Sequence, residues 1–198
     1  SGDQRFRQAA LAGLAYERSL YSPEHRNWPD LRTGAPESVG LEEDSQRYTC
    51  FWCHGAPGIG LARLAGLPFL DDAAVREEIG AAVETTLAEG FGQNHSLCHG
   101  DLGNLDFLVE AARVTGDSAL RERVNRLAGG ILDGIEEHGW LYGQPLGAEP
   151  LGLMLGLSGI VHGLARLAEP ERLPSLLALA PPQRSESFLR TARDRTDR

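Results

Sequence analysis

Apolar residues along the chain recur with the spacing of helices. Val75, Ile79, Val83 and Leu87 return every four positions, which places them on one face of an α-helix. No segment alternates as a strand does, and the short apolar stretch 175–180 is the least clear place. The pattern therefore predicts an all-α chain. Its helices are expected at residues 4–20, 58–66, 105–114 and 118–137. A further helix carries the four residues from Val75 to Leu87 after a cap at Asp71 or Asp72, and a last one ends near residue 167.

Glycine-rich turns divide these helices into a repeating order. The turns occupy residues 55–58, 100–103 and 156–159, and they are offset by 45 and 56 positions. Periods of this size indicate paired helices that are stacked as an array or closed as a ring. In such an array every turn lies at the same end. Residues just before the turns are therefore expected to be neighbours in space.

Candidate metal ligands stand at equivalent places before two of the turns. Cys53 precedes the first turn, and Cys98 with His99 precedes the second. Met154 and Leu155, which are poor zinc ligands, take the third place. Two thiolates with one imidazole favour zinc. Three protein ligands with one open position are typical of a catalytic zinc site.

Purely structural roles remain open for the cysteines and for several polar residues. A cysteine before a buried helix is commonly a small core residue, and Cys50 could instead be a fourth ligand. Asp101 is expected to cap its own helix. Asp106 and Glu110 are expected on a solvated helix face. His95 either lines the site or braces the turn that follows it.

Composition narrows the class of protein. The chain has 198 residues, 41% of them hydrophobic and 24% charged, and its net charge is −9. This acidic balance argues against a nucleic-acid partner. The longest apolar run, residues 151–168, contains His162 and Arg166, so a buried helix is favoured over a transmembrane segment. Three cysteines and no signal peptide predict a reducing, cytoplasmic location.

Several motifs together resemble a known family. "WCHGAPGIGLARL", "SLCHGDLGN" and "GLMLGLSGI" are similar to the cyclase domain of lanthipeptide synthetases, the LanC-like family. The version at the C-terminus of the bifunctional LanM enzymes is the most similar. The resemblance covers residues 1–182 and leaves out a polar tail, 183–198. Because the chain opens without Met and reads like the middle of a helical protein, we expect only the C-terminal portion of such a domain.

The resemblance implies a fold and an activity. The fold would be part of an (α/α) toroid, a double ring of helices that is incomplete here. Zinc would be held by Cys53, Cys98 and His99. The reaction would add a cysteine thiolate of a dehydrated precursor peptide, made of leader and core, to dehydroalanine or dehydrobutyrine, which forms a lanthionine or methyllanthionine thioether.

The resemblance also leaves the acid and the partners open. His54 follows a ligand where some relatives have Tyr, and it is the candidate catalytic residue within this chain. The family's main acid is expected upstream of the chain. Expected partners are therefore the missing N-terminal half of the ring and a dehydratase domain. The alternative is a catalytically inactive, zinc-binding helical-repeat scaffold for a peptide or protein partner.

Overall fold

The structure is a computed structural model that describes residues 2–31, 47–144 and 149–180. Within these ranges it contains six α-helices and no β-strand, which confirms the all-α prediction. Residues 32–46 and the whole tail, 183–198, lie outside the described residues. The helices are α1 (Gln4–Ser19), α2 (Ala56–Gly66), α3 (Ala73–Glu89), α4 (Asp101–Thr115), α5 (Ser118–His138) and α6 (Leu157–Ala168).

Aspartates begin the helices that do not follow a glycine turn. Asp3 accepts a hydrogen bond from the backbone N–H of Arg5 at 2.9 Å, and Asp72 accepts one from Val75 at 2.9 Å. Asp117 does the same at the start of α5. Each carboxylate satisfies an N–H group that the first helical turn leaves without a partner.

The helices form two layers. The inner layer is the row α2, α4 and α6, in which α4 packs against both of the others. In the outer layer, α3 packs on α2 and α5 packs on α4. The core between the layers is centred on α4, where Leu105, Phe107 and Leu108 are fully buried. This order of inner and outer helices is part of an (α/α) toroid, as expected.

In all three turns the glycines approach a backbone carbonyl closely. A Cβ atom on the last glycine of each turn would lie about 2 Å or less from the carbonyl oxygen six residues earlier, a distance that no side chain tolerates. The first glycine of each turn meets a backbone carbonyl in the same way. For the last glycines the distances are 2.1 Å (Gly58 to Trp52 O), 1.9 Å (Gly103 to Leu97 O) and 1.9 Å (Gly159 to Leu153 O).

Helix α1 contacts one inner helix and one outer helix through ion pairs. Glu17 pairs with Arg63 of α2 at 2.7 Å, and Arg18 pairs with Glu78 of α3. No residue of α1 is buried, and 66% of the Phe6 side chain is exposed. The apolar face of α1 therefore borders an open cavity of about 430 Å³ beside α2.

The expectation of a solvated face on α4 is wrong. Asp106 is only 6% exposed, and Arg166 of α6 pairs with both Asp106 and Glu110. The hydroxyl of Ser175 donates a hydrogen bond to Asp106 at 2.5 Å. An inner helix has a neighbour on each side, so its polar positions can face another helix. Buried carboxylates at such positions require a cationic partner.

None of the described helices combines sufficient length with sufficient apolar character to cross a membrane.

The turn geometry predicts opposite effects for two glycine-to-alanine substitutions. Gly103→Ala should lower the free energy of unfolding by at least about 2 kcal/mol, because the new Cβ forces the turn away from Leu97 O. Gly80→Ala, at an exposed position of α3 with no atom within 4 Å, should raise it by about 0.5–1 kcal/mol. Urea unfolding followed by circular dichroism measures both. Equal changes in the two variants would contradict the assigned geometry.

Candidate metal centre

Equivalent residues of the three turns are joined by backbone hydrogen bonds. The N–H of Cys53 donates to the carbonyl oxygen of Cys98 at 3.3 Å, and the N–H of Cys98 donates to that of Met154 at 2.9 Å. The repeat alignment predicts this neighbourhood, and the structure confirms it. The starts of α2, α4 and α6 therefore lie side by side at one end of the inner layer.

This arrangement brings the three candidate ligands together. The Sγ atoms of Cys53 and Cys98 and a ring nitrogen of His99 all lie within 4.8 Å of one another. Cys53 is exposed, whereas Cys98 and His99 are half-buried. The cluster is thus held by the protein on one side and reachable from the other. A tetrahedral zinc site separates neighbouring ligand atoms by about 3.5–4 Å, so small side-chain movements suffice to fit zinc.

A backbone carbonyl orients His99. Its Nε2 lies 2.7 Å from the oxygen of Gly143, and because a carbonyl only accepts, Nε2 must carry the proton. Nδ1 is then the nitrogen that can coordinate a metal. Only a glycine allows this approach, since a Cβ at position 143 would lie 2.6 Å from the hydroxyl of Ser96. The N–H of Gly143 also donates to the Leu155 oxygen at 3.0 Å.

The two kinds of cysteine differ in acidity. Hydrogen bonds from Cys53 and His99, together with the charges of His99 and His54, lower the pKa of Cys98 to about 5 despite its burial. Burial raises the pKa of Cys50 to about 12, although its hydrogen bond to Thr86 opposes this. Cys50 lies outside the cluster. Cys50 is therefore a small core residue and not a fourth ligand of the cluster.

His54 lies beside the cluster and is oriented by residues that sequence reasoning missed. Its Nδ1 is 2.8 Å from the hydroxyl of Thr49, and its Nε2 is 3.8 Å from a carboxylate oxygen of Asp30. The ring of Phe51 meets the imidazole edge-on at 5.4 Å. The Asp30 side chain is only 8% exposed. Asp30 precedes all three turns in the sequence, so no repeat pattern marks it.

Asn27 completes the first turn and was also missed. Its Oδ1 accepts from the N–H of Ala56 at 2.8 Å, and its Nδ2 donates to the oxygen of Thr49 at 3.2 Å. The fully buried amide thus bridges two backbone groups. In the other two turns the corresponding groups bond directly: Asp101 N to Asn94 O at 2.7 Å, and Leu157 N to Pro150 O at 2.9 Å.

Two further expectations concern the loop before the second turn. Asp101 does not cap its own helix. Its carboxylate accepts from the N–H of Gly92 at 3.1 Å and also from that of Gln93, so it braces the preceding loop. His95 braces the loop as well, because its Nδ1 accepts from the N–H of Leu141 at 3.0 Å. Burial lowers the pKa of His95.

A cavity of about 390 Å³ opens beside the exposed cysteine. Its wall on the α2 side includes Cys53, His54 and Ile59. Residues 177–179, which follow α6, also line it. The space is large enough for a few peptide side chains. Cys53, one of the three candidate ligands, therefore lines a place where a ligand can bind.

The acidities predict how each thiol reacts with iodoacetamide after treatment with a chelator. At pH 7 Cys98 should be almost entirely thiolate and should react, because its pKa is about 5. Lowering the pH to 4 should slow its labelling about tenfold by protonation. Cys50 should stay unmodified in the folded chain. Peptide mapping by mass spectrometry measures both, and Cys50 labelled as fast as Cys98 would contradict the assignment.

Comparisons with known proteins agree with this geometry. A family model described as "Lanthionine synthetase C-like protein" matches residues 1–178. One curated relative is the "Lacticin 481/lactococcin biosynthesis protein LcnDR2" of Lactococcus lactis subsp. lactis, which is 32% identical over 154 residues. The match covers 71% of this chain and 16% of the relative. The match to the family model extends over most of the chain, through all six helices and the three turns, so the chain belongs to the lanthionine synthetase C-like family.

Proposed function

We propose that the chain is a lanthionine synthetase cyclase that closes thioether rings in a dehydrated precursor peptide with the help of zinc. The observation that carries the proposal is the convergence of Cys53, Cys98 and His99 beside an open cavity. Membership of the family and the similarity to a lacticin 481 biosynthesis protein support it. The ring closed would be lanthionine or methyllanthionine.

The proposed ligands for zinc are Cys53, Cys98 and His99. Their chemistry fits, since two thiolates and one imidazole form a zinc site that leaves one position open. When bound, zinc lowers the pKa of an incoming thiol, which is about 8.5 in the free amino acid, and so supplies a thiolate at neutral pH. The carbonyl of Gly143 holds the His99 tautomer that this site requires.

The reaction moves one proton and forms one bond. The peptide sulfur bonds to the β-carbon of dehydroalanine or dehydrobutyrine while the carbon–carbon double bond becomes single. The proton lost by the thiol is balanced by one gained at the α-carbon. We propose that His54 takes part in this proton transfer, because Thr49 and Asp30 orient its ring beside the cluster.

The proposed substrate defines the proposed partners. It is a precursor peptide with a leader and a core, and its Ser or Thr residues must already have lost water. A dehydratase domain is therefore a proposed partner, together with the N-terminal half of the ring. We also propose a reducing, cytoplasmic location, because both thiolate ligands must escape oxidation.

Zinc content and thiol loss test the proposal together. The purified chain should contain about one zinc per chain, and a dehydrated precursor should lose free thiols when the chain and the N-terminal half of the ring are added. Cys98→Ser should abolish both results. Cys50→Ala should retain both, because Cys50 lies outside the cluster. Metal analysis and mass spectrometry of alkylated peptide are the measurements.

The same experiment separates the enzyme from the scaffold alternative. A chain that binds zinc and peptide but never reduces the number of free thiols, even with the rest of the ring, is a scaffold. A zinc-free chain that still cyclises the peptide would overturn the metal mechanism instead.

The role of His54 predicts a graded response to substitution. His54→Phe should slow cyclisation about a hundredfold or more, since it removes the group that transfers a proton. His54→Tyr should retain more activity because the phenol can still exchange a proton. Zinc content should be unchanged in both variants. Single-turnover thiol loss measures the rates, and a wild-type rate in His54→Phe would show that His54 is only structural.

A further inference from the structure

The segment that follows α6, residues 173–180, is fastened to the inner helices by the buried charge network. Arg166 of α6 donates a hydrogen bond to the carbonyl oxygen of Leu173. Ser175 donates to Asp106 of α4 at 2.5 Å, and its hydroxyl accepts from the N–H of Ala178 at 3.0 Å. A polar network inside the fold thus sets the position of a short stretch without regular structure.

Leu179 stands out within this segment. Its side chain is 90% exposed, and its backbone has a φ of +52°. This left-handed conformation is uncommon for a residue with a branched, bulky side chain. Two hydrogen bonds hold the turn: the N–H of Leu179 donates to Leu176 O at 3.2 Å, and that of Ala180 donates to Ser175 O at 3.1 Å. Such a conformation persists where the surroundings impose it, and it often marks a functional position.

Leu179 lines the same cavity as the candidate metal ligand Cys53. The apolar lining of the cavity comes from Ile59, Ala62 and Ala65 of α2 and from Leu179 after α6. Cys53 and His54 belong to the same lining. A molecule that places a thiol at Cys53 therefore has apolar side chains from two parts of the chain near its neighbouring atoms.

We propose that Leu179 is a specificity-determining residue, which binds an apolar side chain next to the reacting cysteine of the substrate peptide. The inference rests on the proposed cyclase function, since it takes the bound ligand to be a cysteine peptide. Ile59 and Leu179, which line the same cavity, form this subsite. Burial of an aliphatic side chain between them favours peptides with an apolar neighbour over peptides with glycine or a small polar residue.

The anchoring network makes the subsite a fixed part of the fold. Asp106 and Arg166 do not line the cavity, yet they fix Ser175, from which the turn that carries Leu179 is built. They are positioning residues for this subsite. The wall is therefore available before the ligand binds, which reduces the entropy lost on binding.

Binding of three short peptides to the zinc-loaded 198-residue chain tests the proposal. The probes are N-acetylated, C-amidated Leu-Cys-Leu, Gly-Cys-Gly and Leu-Ser-Leu, and isothermal titration calorimetry gives their Kd values. The wild-type chain should bind Leu-Cys-Leu about tenfold more tightly than Gly-Cys-Gly, the effect of burying roughly 50–60 Å² of additional apolar surface. Leu-Ser-Leu reports binding without a thiol.

Three variants assign the preference to Leu179. In Leu179→Ser the ratio of the two cysteine-peptide Kd values should fall below about threefold. In Leu179→Met, which keeps a large apolar side chain, the ratio should stay close to the wild-type value. Leu132→Ser is the matched control, because Leu132 is an exposed leucine of the outer helix α5 that does not line the cavity. It should keep the wild-type ratio. Zinc content should be the same in every variant.

The outcomes separate the two levels of inference. If Leu-Ser-Leu binds as tightly as Leu-Cys-Leu, the thiol is not recognised and the proposed function fails. If binding requires the thiol but the wild-type chain does not distinguish leucine from glycine, the subsite is overturned while the function stands. A preference that survives unchanged in Leu179→Ser would likewise overturn the role of Leu179.

Discussion

Every part of the candidate site depends on how tightly each glycine turn closes on its own backbone. A carbonyl oxygen occupies the space that a Cβ would need at two positions of each turn, so the chain can start α2, α4 and α6 in the same way only with glycine there. This close contact is common to the three copies, although Gly55 has a φ of +101° where Gly100 and Gly156 are extended. Hydrogen bonds between Cys53, Cys98 and Met154 then align the copies.

The alignment of the three turns brings equivalent sequence positions together in space. Candidate ligands far apart in the chain meet because they occupy equivalent places, and the third copy contributes no candidate ligand because Met154 and Leu155 stand there. The repeat therefore produces one cluster at one seam between inner helices. Residues outside the repeat then give the cluster its orientation: the Gly143 carbonyl for His99, and Asp30 with Thr49 for His54.

Much of this could be predicted from the sequence. Apolar spacing located the helices, and the offsets between glycine turns indicated which residues meet. Asn27, Asp30 and Gly143 could not be found, because they lie in irregular segments whose partners are fixed only by the fold. Asp106 and Glu110 were misassigned because a carboxylate on a helix indicates solvent unless its partner, here Arg166 on another helix, is known.

The cluster takes its side chains from two repeats, since Cys53 precedes α2 while Cys98 and His99 precede α4. An ion bound there would cross-link distant parts of the chain, much as a disulfide does, with one difference: a chelator could undo it without a reductant. Part of the binding free energy of the ion would stabilise the packing of α2 against α4. The metal would then hold the two inner helices together, and its loss would weaken the contact between them before it altered either helix.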